Sequence, residues 1–175
     1  MSEHINKITF VIGGARSGKS SFALGRASEL PGQKAYIATA EAFDAEMEER
    51  IAKHKEERGS NWDTIEEPFS IVGAINTLSG KYEVILIDCL TLWLSNLLCN
   101  NGEAEKAIED LLFSLRLTPH ALRLFIVSNE VGMGIVPDNE LARRFRDLAG
   151  TLNQKMAAVA DEVYLVAAGI PVRIK

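Results

Sequence analysis

Cysteine is scarce. Cys89 and Cys99 are the two in 175 residues. Their spacing fits neither a metal site nor a redox pair. A surplus of positive charge is also missing. The net charge is −5, so the total gives no sign of a nucleic-acid-binding surface, although a local basic site stays open because net charge is silent on clustering. Long apolar runs are absent too. The longest, Val84 to Leu94, is broken by Asp88 and is too short to span a bilayer. Met1-Ser2-Glu3-His4 has no signal-peptide character. No transmembrane segment and a cytoplasmic location are therefore expected. Internal repeats, linkers and low-complexity segments are lacking as well. What remains is 47% hydrophobic and 25% charged, the balance of a soluble globular chain. Its length predicts a single domain over residues 1–175 with one sizeable core.

The strongest positive signal is Gly13-Gly14-Ala15-Arg16-Ser17-Gly18-Lys19-Ser20. It fits G-x-x-x-x-G-K-[ST], the phosphate-binding P-loop. Gly13 and Gly18 permit a backbone path that most side chains block. The loop amides then cradle an anion, and the helix that starts near Lys19 adds its positive end. Lys19 is placed to reach the β- and γ-phosphates, and Ser20 to offer its hydroxyl to Mg²⁺. Position supports this over a chance glycine turn: the loop follows the apolar run Ile8–Ile12 and precedes a helical pattern.

Strand and helix patterns alternate along the chain. Ile8–Ile12, Lys34–Ala38, Trp62–Glu66, Val84–Asp88, Leu122–Ser128, Glu162–Ala167 and Pro171–Ile174 read as strands. Ser20–Leu30, Glu41–Arg58, Ser70–Leu78, Leu92–Leu98, Glu105–Leu115 and Asn139–Ala160 read as helices, the last with Gly150 as a candidate break. Such alternation predicts an α/β fold: a mainly parallel sheet with helices on both faces. The two closing strands, joined by a turn at Gly169, predict an antiparallel edge. Ligand sites in such sheets gather at the carboxyl ends of strands.

Three features stand at or near such ends. Asp88 closes the strand Val84–Asp88, where a Walker-B acid would hold Mg²⁺ directly or through water. A cap or turn acid is the plainer alternative. The helix Glu41–Arg58 carries an apolar stripe of Phe43, Met47 and Ile51. At about 100° per residue His54 and Arg58 each fall within roughly 20° of Met47, and Arg50 flanks the stripe. Glu48, Glu49, Lys55 and Glu56 would cover the solvent side. Two readings of His54 stay open: a half-buried histidine held by a carboxylate, or a nucleophile toward phosphorus between two phosphate-binding arginines. Asn129 to Pro137 follows the strand Leu122–Ser128, and its two glycines suggest an unusual backbone suited to close approach by a ligand, or a plain loop. Arg143, Arg144 and Arg146 read as a solvated or inter-subunit helix face.

Together these residues resemble the bifunctional adenosylcobinamide kinase/adenosylcobinamide-phosphate guanylyltransferases of cobalamin biosynthesis. The resemblance runs nearly end to end. It rests on the P-loop, Tyr36-Ile37-Ala38-Thr39, Arg50-Ile51-Ala52-Lys53-His54-Lys55, Leu86-Ile87-Asp88-Cys89-Leu90-Thr91 and Asn129 to Pro137. It implies a three-layer, RecA-like P-loop NTPase fold and a homotrimer. It implies phosphorylation of the aminopropanol hydroxyl of adenosylcobinamide by ATP or GTP. GMP then passes from GTP to a histidine, which falls on His54, and on to the substrate phosphate. Adenosyl-GDP-cobinamide and pyrophosphate result. The implied nucleotide contacts are Gly13 to Ser20, Ile37, Ala38, Thr39, Lys55, Glu56, Glu57, Arg58, Glu66 and Asp88. Lys19 is catalytic beside His54, and Ser20 and Asp88 are metal ligands for Mg²⁺.

Two other functions compete. A P-loop kinase that moves only the γ-phosphate would leave His54 structural. A nucleotide switch would bind GTP without turnover, but it has no need of a histidine beside two arginines.

Overall fold

The computed structural model describes residues 8–41, 49, 52, 55, 56, 58–100, 102–118 and 121–175. Seven strands form one sheet: β1 (Ile8–Gly13), β2 (Lys34–Ala38), β3 (Asp63–Glu66), β4 (Val84–Asp88), β5 (Arg123–Asn129), β6 (Glu162–Ala167) and β7 (Ile170–Arg173). Their spatial order is β3-β2-β4-β5-β1-β6-β7. All neighbours are parallel except β6 and β7. The expected antiparallel edge is therefore present. The helices are α1 (Lys19–Ser28), α2 (Ile71–Leu78), α3 (Leu90–Cys99), α4 (Ala104–Arg116) and α5 (Glu140–Val159).

The continuous apolar runs of the strands are explained by burial on both faces. Phe10, Ile37, Ile85, Ile87, Leu124 and Ile126 point to the layer of α2, α3, α4 and α5. Val11, Tyr36, Ala38, Leu86, Phe125 and Val127 point to the opposite layer, where α1 packs through Ala23 and Ala27. Successive residues alternate between two cores, as the period of a strand requires. The result is the predicted three-layer arrangement.

One expectation fails. Gly150 does not break α5, which runs unbroken from Glu140 to Val159. A glycine inside a helix costs about 1 kcal/mol against alanine. Ala149, Leu152, Asn153 and Met156 bury one stripe of the helix around it, and that packing outweighs the local penalty. Of the predicted helix Glu41–Arg58, Glu41 is not helical, and the other described residues, Glu49, Ala52, Lys55, Glu56 and Arg58, are.

Candidate active site

The P-loop leaves β1 at the carboxyl edge of the sheet, between β5 and β6. Its three glycines have different reasons to be there. A side chain on Gly13 would put Cβ 2.4 Å from the Val166 carbonyl oxygen and 2.5 Å from Ser17 Oγ. Gly18 caps α1 with φ of 90°, in the left-handed region that favours glycine. A Cβ there would also come 3.2 Å from Gly169 Cα. Gly14 faces open space. Gly169 belongs to the β6–β7 turn, and its amide donates to the Ser17 carbonyl at 2.8 Å. The tip of the terminal hairpin thus braces the loop, a contact that depends on β6 lying beside β1.

Lys19 opens α1 and is 8% exposed. Its ammonium donates to the Gly14 carbonyl at 3.0 Å. Burial pushes its pKa below the ordinary lysine value, against the upward pull of the neighbouring Cys89 and Asp88 side chains. Ala15 and Arg16 form the exposed crest of the loop, whereas the Ser17 hydroxyl is buried without a hydrogen-bond partner. Ser20 follows Lys19 in the first turn of α1.

Asp88 ends β4, two strands from β1. Strand β5 lies between them. Register explains its principal contact. Tyr36 pairs with Leu86 and Ala38 with Asp88, so Tyr36 and Asp88 are diagonal neighbours on one face. The Tyr36 hydroxyl donates to Asp88 Oδ2 at 2.8 Å. Burial, then the Asp88 charge and this hydrogen bond, push the Tyr36 pKa far up, with Arg58 opposing. Above the Tyr36 ring, 3.8 Å from the centroid, sits the Arg58 guanidinium, and Trp62 meets the same ring edge-on at 6.3 Å. Arg58 is 7% exposed, as the helical stripe predicted. Its Nε has no hydrogen-bond partner among the described residues. Sequence reasoning gave Tyr36 no role of its own, because its importance follows from register rather than from its neighbours along the chain.

Thr39 laces β2 to β4. Its hydroxyl donates to the Cys89 carbonyl and accepts from the Cys89 amide, both at 2.8 Å. Asn96 on α3 donates to the Thr39 and Pro68 carbonyls at 2.8 and 3.1 Å. Thr39 and Ile37 have no exposed surface, so as the chain stands they shape the edge from within, while Ala38 places Asp88 opposite. Cys89 is buried, its thiol pushed up to about 11 by burial first and then by Asp88. Farther along the edge, Lys55 and Glu66 form an exposed ion pair. That contact holds the Glu66 carboxyl below the usual range. Glu56 is exposed. His54, Arg50 and Glu57 lie outside the described residues.

Of the two readings of the segment after β5, the plain loop is the nearer. Its root is tied to the P-loop, since the Glu130 amide donates to the Gly13 carbonyl at 2.9 Å. Asn129 donates to Thr91 Oγ1 at 2.8 Å. Neither Gly132 nor Gly134 adopts a positive φ, so the backbone there is ordinary. The loop instead exposes Met133 (83%) and Ile135 (97%). Arg143 caps it by donating to the Pro137 and Asp138 carbonyls at 3.0 and 2.6 Å, while Arg144 pairs with Glu105 across to α4.

The donor set suits Mg²⁺. Ser20 and Asp88 offer hard oxygens. Asp88 Oδ2 is engaged by Tyr36, and Oδ1 accepts from no described residue. Groups of three or more His, Cys, Asp or Glu that could hold a metal ion are absent among the described residues.

Solved structures share this architecture. A type III secretion ATPase of pathogenic bacteria superposes with a TM-score of 0.57 at 11% identity, covering 95% of this chain and 56% of that one. A KaiC-like protein from Pyrococcus horikoshii gives 0.50 at 13%, covering 91% and 71%. At such identities the likeness is one of fold. With the loop just described, it makes this a P-loop NTPase fold of the RecA-like kind. Residues 9–174 match the family described as cobinamide kinase / cobinamide phosphate guanyltransferase. The chain belongs to that family. It is 42% identical over 167 residues to the bifunctional adenosylcobalamin biosynthesis protein CobP of Pseudomonas aeruginosa, covering 94% of this chain and 95% of the relative. It is 42% identical over 180 residues to the protein CobU of Salmonella typhimurium, covering 94% and 98%. The match to CobU of Escherichia coli is 40% over 183 residues, again covering 94% and 98%.

Proposed function

We propose that the chain is a single-domain adenosylcobinamide kinase and adenosylcobinamide-phosphate guanylyltransferase. The observation that carries this reading is the placement of a buried Lys19 and of Asp88 on one sheet edge, in a chain similar along nearly its whole length to bifunctional relatives. In the kinase step the P-loop amides and Lys19 hold the triphosphate of ATP or GTP, and the substrate hydroxyl attacks the γ-phosphorus as ADP or GDP leaves. Charge stabilisation and alignment carry such transfers. In the second step a ring nitrogen of His54 attacks the α-phosphorus of GTP, and the bond to pyrophosphate breaks. Lys19 and the loop amides stabilise the departing charge. An oxygen of adenosylcobinamide phosphate then attacks the same phosphorus, the P–N bond breaks, and His54 is released. The covalent stage divides one difficult transfer into two. Ser20 and Asp88 would hold Mg²⁺, which supplies charge neutralisation on the phosphates. Gly13 to Ser20, Ala38, Lys55 to Arg58 and Glu66 line the nucleotide in this reading, with Ile37 and Thr39 beneath.

The same reading takes the enzyme as a cytoplasmic homotrimer. Among the described residues no helix is long and apolar enough to cross a membrane. The edge strand β7 exposes Ile170 and Val172, an apolar border that supports self-association.

Incubation with α-labelled GTP tests the reading. The expected result is covalent label stable to base and labile to acid, lost in His54→Ala while γ-phosphate transfer to adenosylcobinamide persists. Label retained by His54→Ala would remove the histidine role. Absence of label in the parent would favour a simple kinase.

A further inference from the structure

Tyr36 connects two groups that the proposed chemistry uses separately. Its hydroxyl is bonded to Asp88 Oδ2 at 2.8 Å, and its ring carries the Arg58 guanidinium at 3.8 Å. Trp62 closes the ring from the side and is itself fixed by a hydrogen bond from its indole to Ser28 Oγ at 3.2 Å. Tyr36 is 5% exposed, so it is almost closed to solvent. Its backbone is held on both sides, by Thr64 of β3 and Leu86 of β4. The ring is thus a rigid post between a carboxylate at the strand end and a cation that arrives from the helix ending at Arg58.

Each end of the post has an unspent valence. One oxygen of Asp88, Oδ2, is taken by Tyr36, and Oδ1 accepts from no described residue. Arg58 lies over the ring and keeps its N–H groups in the guanidinium plane, where Nε has no acceptor among the described residues. A stacked guanidinium can still form hydrogen bonds along its rim, and a desolvated cation is attracted to the face of an aromatic ring.

We propose that Tyr36 is the positioning residue that sets Asp88 for the metal–nucleotide and seats Arg58 for the phosphates. The inference rests on the assignment of Asp88 as the metal acid. It requires that loss of the hydroxyl alone weaken metal binding. It also requires that loss of the ring weaken nucleotide binding even without metal.

The test measures Mn²⁺ binding to the GTP-loaded protein by the free-ion electron paramagnetic resonance signal, and GTP affinity in EDTA. Tyr36→Phe keeps the ring and its stacking. It should weaken Mn²⁺ binding about tenfold, the scale of one hydrogen bond to a charged group, with GTP affinity in EDTA unchanged. Tyr36→Leu should weaken both. Asp88→Asn serves as the reference and should lose Mn²⁺ binding more severely. Parental Mn²⁺ affinity in Tyr36→Phe, with the metal lost in Asp88→Asn, overturns the positioning role and leaves the Asp88 assignment standing. A lowered melting temperature in Tyr36→Phe with unchanged metal affinity marks the hydroxyl as structural and overturns the inference equally. If Asp88→Asn itself binds Mn²⁺ normally, the Asp88 assignment falls and the inference with it.

Discussion

Lys19→Ala is expected to abolish both transfers, by about a thousandfold or more, because a fixed cation beside a transferring phosphate commonly supplies that much. The same change should leave the unliganded fold as stable as the parent or more so. Lys19 is nearly buried, and a neutral carbonyl is its hydrogen-bond acceptor. Burial lowers its pKa, so near neutral pH the folded chain holds a charge it would more readily release. Between the lowered pKa and the ordinary lysine value the unfolded chain binds more protons. In that window this residue makes stability rise with pH, and Lys19→Ala removes that contribution. Thermal melts with and without Mg²⁺–GTP check the result. The parent should show a ligand-dependent rise and the variant none. A normal GTP-induced rise in Lys19→Ala would contradict the role given to the ammonium.

Gly13→Ala should be the most damaging single methyl in the loop. The added Cβ would stand 2.4 Å from the Val166 carbonyl oxygen, which is backbone. Val166 is locked in β6 between β1 and β7, opposite Gly13 and Pro171, so it has little freedom to retreat. Overpacking of this kind costs about 1–3 kcal/mol and occasionally more. Relief requires β1 and β6 to part where the phosphate loop begins. Lowered denaturation midpoint and lost GTP binding are expected together. Gly14→Ala is the control: its Cβ meets nothing within 4 Å, and its stability should lie within about 0.5 kcal/mol of the parent. Equal behaviour of the two variants in denaturant would refute the steric argument.

The contrast between these glycines shows where reading from sequence succeeds and stops. The P-loop was legible because its spacing, the strand before it and the helix after it agree. Strands β2 and β4 were legible to the residue, because a short apolar run bounded by turn residues and followed by a helical pattern suits a strand buried on both faces. Which glycine is indispensable was not, since Gly13 is constrained by a strand distant in sequence. Tyr36 was likewise hidden. Its partner Asp88 becomes visible only when β2 is known to lie beside β4 in a particular register. The glycines at 132 and 134 left two readings open from composition, and of these neither residue takes a positive φ. Nor did any local signal place β5 between β1 and β4, because strand order is decided by how crossovers pack rather than by the strands themselves.

The β6–β7 turn carries a consequence for protein engineering. Tips of terminal hairpins are usual places to splice in a peptide or a reporter domain. Ala168 and Gly169 look like such a tip, with φ of 51° and 79°. Yet the Gly169 amide is spent on Ser17, and Gly169 Cα lies against Gly18. A graft at this position should therefore silence nucleotide binding while the sheet remains folded. The turn at Gly80, which leads into β4 and where a Cβ would meet nothing within 4 Å, should accept the same graft and keep its GTP affinity. Comparing GTP affinity in the two grafts would separate a decorative hairpin from one that belongs to the phosphate loop.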